Sequence, residues 1–174
     1  MRESDFSRIL VRSTNWVGDA VMSLPAFRAI RERFPGARIS VLARSWVADL
    51  YARERFADEV IPYTAGLKRR DVGSKWRLAR QLTPRRFDCA VLFQNAFDAA
   101  LITWLARIPR RIGYNRDGRG PLLTDRVPVP KPGEIPPHES PEALERLVRQ
   151  RVESLLWHQS VAPMYVNRST QRAE

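Results

Sequence analysis

Residues 8–43, RILVRSTNWVGDAVMSLPAFRAIRERFPGARISVLA, are the stretch on which the reading of the fold turns. The opening RILVR, residues 8–12, is a short apolar run between two arginines and predicts a buried strand. A polar loop, residues 13–19, follows it. Val21, Leu24, Phe27, Ala29, Ile30 and Phe34 then approximate one helical stripe over residues 20–34. Pro25 interrupts that stripe, so the helix is expected to kink there or to restart with Ser23 as its cap. Pro35-Gly36 closes it, and RISVLA, residues 38–43, is the next strand.

The alternation continues outward. Ser45 is expected to cap a helix reaching about Arg53. Residues 59–62 read as a short strand and 74–82 as a basic helix. Residues 87–93, FDCAVLF, read as a buried strand, 96–106 as an apolar helix and 111–114 as a further short strand. Strands alternating with helices imply βαβ units with right-handed crossovers. The expected fold class is therefore α/β, a parallel sheet covered by helices on both faces. This domain is expected to occupy residues 1–130. Six prolines between Pro128 and Pro141 have linker composition, placed at 131–141. Leu144, Leu147, Val148, Val152, Leu155 and Leu156 predict a C-terminal helix over 142–157 that must bury its stripe. Residues 158–174 read as a disordered tail.

Hydrophobic residues make up 44% of the 174, enough for a core and against global disorder. The lone Cys89 excludes an internal disulfide and, inside an apolar run, reads as packing. Met1–Ser7 lacks the basic start and apolar run of an export signal, and no run approaches the length of a membrane span. A cytoplasmic location is expected, at most peripheral at a membrane surface.

The net charge is +11 and almost wholly arginine. Residues 68–86 hold eight basic residues against the single Asp71. Such a field suits a phosphorylated substrate, anionic lipid headgroups or nucleic acid. Aromatics are not interleaved through it as a single-strand nucleic-acid binder requires, so no specific nucleic acid is expected.

Ligands of open α/β sheets bind outside the carboxyl ends of the strands, often at the first turn. The loop at 13–19 occupies that place. Asp19 has two readings there: a helix N-cap bonded to backbone N–H groups, or a general base for an acceptor hydroxyl. The loop is neither the dinucleotide fingerprint nor a phosphate loop, having one glycine. With only His138 and His158, no metal site is expected.

Taken together, residues 9–25 (ILVRSTNWVGDAVMSLP), 26–43 (AFRAIRERFPGARISVLA) and 111–124 (RIGYNRDGRGPLLT) resemble the ADP-heptose:lipopolysaccharide heptosyltransferases of glycosyltransferase family 9, above all their heptosyltransferase II branch. The resemblance runs from about Arg8 to His138. It implies the N-terminal, acceptor-side half of a GT-B fold, in which two Rossmann-like domains face a cleft. It implies transfer of a heptose, with inversion and without a metal, from ADP-heptose as donor onto the inner-core heptose of lipopolysaccharide. Asp19 is then the base, with Asn15 and Gly18 lining the cleft. Lys68, Arg69 and Arg70 are the first expected anion contacts, and Arg116 and Arg119 the second. Arg77, Arg80, Arg85 and Arg86 are expected to face phospholipid or water. Donor-binding residues belong to a C-terminal domain for which the 34 residues after Ser140 are too few. The chain is therefore expected to be truncated and inactive alone, completed by a separate C-terminal half, or to act as a non-catalytic module binding anionic glycolipid or a partner.

Overall fold

In a computed structural model of the protein, residues 6–64 and 71–128 are described. Six strands form one sheet: β1 (Arg8–Arg12), β2 (Arg38–Arg44), β3 (Glu59–Tyr63), β4 (Cys89–Leu92), β5 (Arg110–Tyr114) and β6 (Asp125–Val127). Their order is β3-β2-β1-β4-β5-β6 and every pairing is parallel. The order reverses direction beside β1, which makes the carboxyl ends of β1 and β4 the natural crevice. Four helices connect the strands: α1 (Val17–Arg33), α2 (Ser45–Ala52), α3 (Val72–Leu82) and α4 (Phe97–Leu105).

Strand periodicity divides the core in two. Ile9, Val11, Ile39, Val41 and Cys89 point to the side covered by α1 and α2; Leu10, Leu42, Ala90 and Leu92 point to the side covered by α3 and α4. Phe27 of α1 anchors the first layer, its ring within 4.9 Å of those of Tyr51, Phe56 and Phe93. Cys89 is buried, as its apolar setting predicts, and burial pushes its thiol well up.

Several boundaries differ from the expectation. α1 does not restart at Ser23; one helix includes Pro25. Pro25 has no N–H to give to the carbonyl of Val21, an exposed residue. The Ser23 hydroxyl instead donates to the carbonyl of Ala20 at 2.7 Å. Ser45 is the first residue of α2, not its cap, and Arg44 holds the cap position without a side-chain bond. α3 starts two residues early because Asp71 caps it, its carboxylate accepting from the Ser74 N–H at 2.9 Å. β6 was not legible: its three residues merge into the proline-bearing stretch. The linker, C-terminal helix and tail expected at 131–174 lie outside the described residues.

Asp58 and Glu59 brace the amino edge of the sheet. Partial burial pushes both carboxyls up, but it is outweighed, for Asp58 by the Ile39 N–H and Arg31 guanidinium and for Glu59 by Arg85, so each ends below its ordinary range. A depressed folded pKa stabilises above the unfolded values, 3.8 and 4.5, and that stability is lost as pH falls through the lower folded values. The urea midpoint is therefore expected to be level with respect to these two groups above pH 4.5 and to fall on acidification below 3.8. Asp58→Asn should flatten that fall.

Candidate functional site

β1 and β2 both close on arginine, and those residues build the floor of the carboxyl edge. Arg12 is only 2% exposed, two positions beyond Leu10 on the α3–α4 side. Its guanidinium donates to the carbonyl of Ser13 at 2.8 Å, to Asn15 Oδ1 at 3.2 Å and to the Tyr63 hydroxyl. Arg44 pairs in register with Tyr63 and lies 4.8 Å from that ring and 5.3 Å from the ring of Trp46. Tyr63 thus sits between two guanidinium groups. Burial pulls Arg12 down from 12.5 to about 10, with Tyr63 opposing and Arg44 adding to the fall, which still leaves it cationic at neutral pH. Burial raises Tyr63, keeping the phenol protonated to donate to Asn15 Oδ1 at 3.2 Å. Among the described residues no carboxylate pairs with Arg12, so the edge carries a fixed positive field.

Above this floor the loop from β1 climbs to α1. Ser13 N–H donates to the Leu42 carbonyl at 3.1 Å, and Trp46 Nε1 donates to the Asn15 carbonyl at 3.0 Å. Asn15 is therefore fixed by both its side chain and its backbone. Trp16 holds the N-cap position of α1 in extended backbone, with no side-chain cap bond. Asp19 is thus not the cap; it stands at the third position of the first turn, exposed. Among the described residues, none hydrogen-bonds to or ion-pairs with its carboxylate. The N–H groups of this first turn have no helical acceptor, so the helix end adds to the positive field around Asp19.

Gly18 is also exposed, and a Cβ built there meets nothing within 4 Å. Packing does not require glycine at this position. Gly18→Ala should leave stability unchanged or raise it by up to about 1 kcal/mol, the helix preference for alanine. Acceptor binding should weaken in the same variant, read by titration beside a urea melt.

The other expected contacts are distributed differently. Arg116 is exposed, 3.7 Å from the Asp117 carboxylate. Arg119 is fully buried, a correction to its expected place at an open rim. Its donors go to the carbonyl of Tyr114 at 2.7 Å, to Asn95 Oδ1 at 2.9 Å and to the carbonyl of Gln94. It ties the loop after β4 to the end of β5. Lys68, Arg69 and Arg70 fall outside the described residues, between the end of β3 and the start of α3. Lys75 does not belong to the exposed basic cluster: it is buried and bonded to Asp98 at 2.7 Å. Arg85 is likewise engaged, with Glu59, while Arg77, Arg80 and Arg86 are exposed.

The sequence signal for Arg12 and Arg44 was present, since a charge closing an otherwise apolar strand lands at the sheet edge. Tyr63 and Trp46 had no such signal, because their role depends on register between strands distant in sequence.

Comparison with known proteins agrees with this geometry. The model of glycosyltransferase family 9 (heptosyltransferase) matches residues 75–140. Lipopolysaccharide heptosyltransferase 2 of Salmonella typhimurium is 37% identical over 118 residues, covering 68% of this chain and 34% of that enzyme. The Escherichia coli counterpart is 36% identical over the same length, with the same coverage. The solved structure of E. coli ADP-heptose lps heptosyltransferase II superimposes with a TM-score of 0.67 at 32% identity, over 81% of this chain and 40% of that one. A glycosyl transferase family 9 structure from Veillonella parvula, at 15% identity and a TM-score of 0.70, shares the fold over 88% of this chain and 42% of its own. The chain thus spans about a third of the length of the curated relatives it matches. In sequence and in sheet architecture the chain is similar to part of the heptosyltransferases of glycosyltransferase family 9, heptosyltransferase II among them.

Proposed function

We propose that this chain is the acceptor-side half of an inverting heptosyltransferase, with Asp19 as its general base. In this reading a hydroxyl of the inner-core heptose of lipopolysaccharide attacks the anomeric carbon of ADP-heptose from the face opposite ADP. The new carbon–oxygen bond forms as the bond to ADP breaks, the electron pair leaves with ADP, and the hydroxyl proton passes to the Asp19 carboxylate. The observation that carries the reading is a carboxylate exposed at the carboxyl edge of β1 with no bonded partner among the described residues. A carboxylate suffices as the base where the sugar carbon is already cation-like in the transition state and proton transfer comes late.

The arginine floor supports an anionic acceptor. Arg12 and Arg44 set the field, the exposed Arg116 lies at the loop after β5, and Lys68, Arg69 and Arg70 are the proposed direct contacts with its phosphate or carboxylate. Asn15 and Gly18 line the approach to Asp19. No metal is required, because the positive edge and a departing diphosphate held by a second, donor-binding half account for the charge that develops. That half is proposed to come from outside the described residues, as a separate or continuing polypeptide. The acceptor is a membrane glycolipid, so the chain is proposed to work in the cytoplasm, peripherally at an anionic membrane surface.

Titration of the chain with a phosphorylated inner-core glycolipid and, separately, with ADP-heptose tests the assignment. Binding of the first and not the second is expected; the reverse preference would overturn it. A non-catalytic module binding anionic glycolipid or a partner is the second reading, favoured by the buried arginine and tyrosine floor at the carboxyl edge. It predicts the same binding but no transfer after a donor-binding half is added.

A further inference from the structure

Exposed large apolar side chains fall into two groups among the described residues, Trp16, Val17, Val21, Met22 and Trp46 around α1 and α2 and a second group on the outer surface of α3 and α4. These helices pack side by side on one face of the sheet, locked by the Lys75–Asp98 pair and by a shared core around Leu78, Leu82 and Ile102. Their inward sides are spent on that core. Their outward sides expose Val72 at 63%, Trp76 at 52%, Phe97 and, at 49%, Trp104. Val72 and Trp76 are one turn apart on α3, and Phe97 and Trp104 two turns apart on α4, so each pair lies along one face of its helix. Interspersed with them are the exposed Arg77, Arg80 and, just past α4, Arg107. The acids of the same segments are engaged: Asp71 caps α3 and Asp98 holds Lys75.

We infer that this face is a membrane-contact surface, seating its tryptophans in the headgroup layer of an anionic bilayer while the arginines meet lipid phosphate. Half-exposed indoles with arginines between them suit an interface that is apolar on one side and wet and negative on the other. Tryptophan and arginine are also enriched at protein interfaces, so association with a second copy is the competing outcome that the test must separate. Helices that follow strands begin at the carboxyl edge of the sheet, so Val72 and Phe97 stand at the rim that carries Asp19. A bilayer against this face would therefore present a lipid-anchored acceptor to the rim from the side. The inference deepens the proposed function by naming the face that meets the membrane, but its test does not use the acceptor and so fails separately. No helix among the described residues is long and apolar enough to cross a membrane, and none is needed.

The test is co-sedimentation of the whole chain with vesicles of phosphatidylglycerol and phosphatidylcholine, free of glycolipid, against vesicles of phosphatidylcholine alone. Binding to the anionic vesicles is expected, with a blue shift of tryptophan emission. W76A/W104A should weaken it by roughly tenfold or more, from lost apolar burial. R77Q/R80Q should weaken it by about fivefold per charge removed. R53Q/R55Q, beside α2 on the other side of the sheet, removes the same net charge and should leave binding nearly unchanged. All these positions are exposed, and unaltered melting curves would show that the variants fold. Absence of vesicle binding, or equal losses from the two arginine pairs, would overturn the inference. So would a self-association of the free chain that W76A/W104A abolishes, which would make the face an interface between copies.

Discussion

Replacing Asp19 with asparagine, in an enzyme completed by a donor-binding half, is expected to lower kcat about 10²–10⁴-fold. The acceptor KM should change little. Asparagine keeps the size and much of the polarity of the side chain but cannot take the proton, so the loss falls on the chemical step. The fold should not notice. Among the described residues the Asp19 carboxylate bonds to nothing, and its only structural contribution is a negative charge in the first turn of α1, about 0.3–1 kcal/mol. Initial rates of ADP release, set beside urea unfolding of the same variant, separate the two effects. A kcat within a few-fold of the parent enzyme would remove Asp19 from the mechanism.

Arg119→Ala is expected to do the opposite, costing about 3 kcal/mol of stability. Three acceptors, the carbonyls of Gln94 and Tyr114 and the Asn95 side chain, lose a charged donor at once, and a fully buried side chain is removed. Burial already lowers the guanidinium below its ordinary range, and it stays charged because those oxygens surround it. Lysine should not rescue the variant, because one ammonium cannot reproduce the planar fork that spans two loops. Arg116→Gln is the contrast. Arg116 is exposed, so its loss should weaken an anionic acceptor and leave the urea midpoint within about 0.5 kcal/mol. Denaturation curves for the pair check both expectations.

These two arginines, three residues apart in a polar glycine loop, mark the limit of what the sequence could tell. Both looked like rim cations. Which one turned inward depended on oxygens contributed by the loop after β4, which are not local to the glycine loop. The strands were legible for the opposite reason. RILVR and RISVLAR are buried on both sides of a parallel sheet, so each reads as a continuous apolar run, and their bounds follow from composition alone. β6 was illegible because three residues at an edge, one of them buried, carry no period. α1 was misread at Ser23, where one helix includes Pro25 and the carbonyl left without its donor belongs to the exposed Val21. The basic cluster was half right. Position in sequence grouped Lys75 with Arg77 and Arg80, while helical phase sends Lys75 inward to Asp98 and its neighbours outward. As for the site, Asn15, Gly18 and Asp19 lie in the loop and first helical turn that follow β1. The arginine and tyrosine floor that holds Asn15 required the register of β2 against β3.

The most direct measurement is a crystal structure of the chain with an inner-core heptose acceptor bound. The account predicts the acceptor hydroxyl about 2.6–3.2 Å from an Asp19 carboxylate oxygen, the reach of a general base, with its anionic groups toward the arginines. An acceptor seated at the amino edge of the sheet, or with every hydroxyl beyond the reach of Asp19, would contradict it.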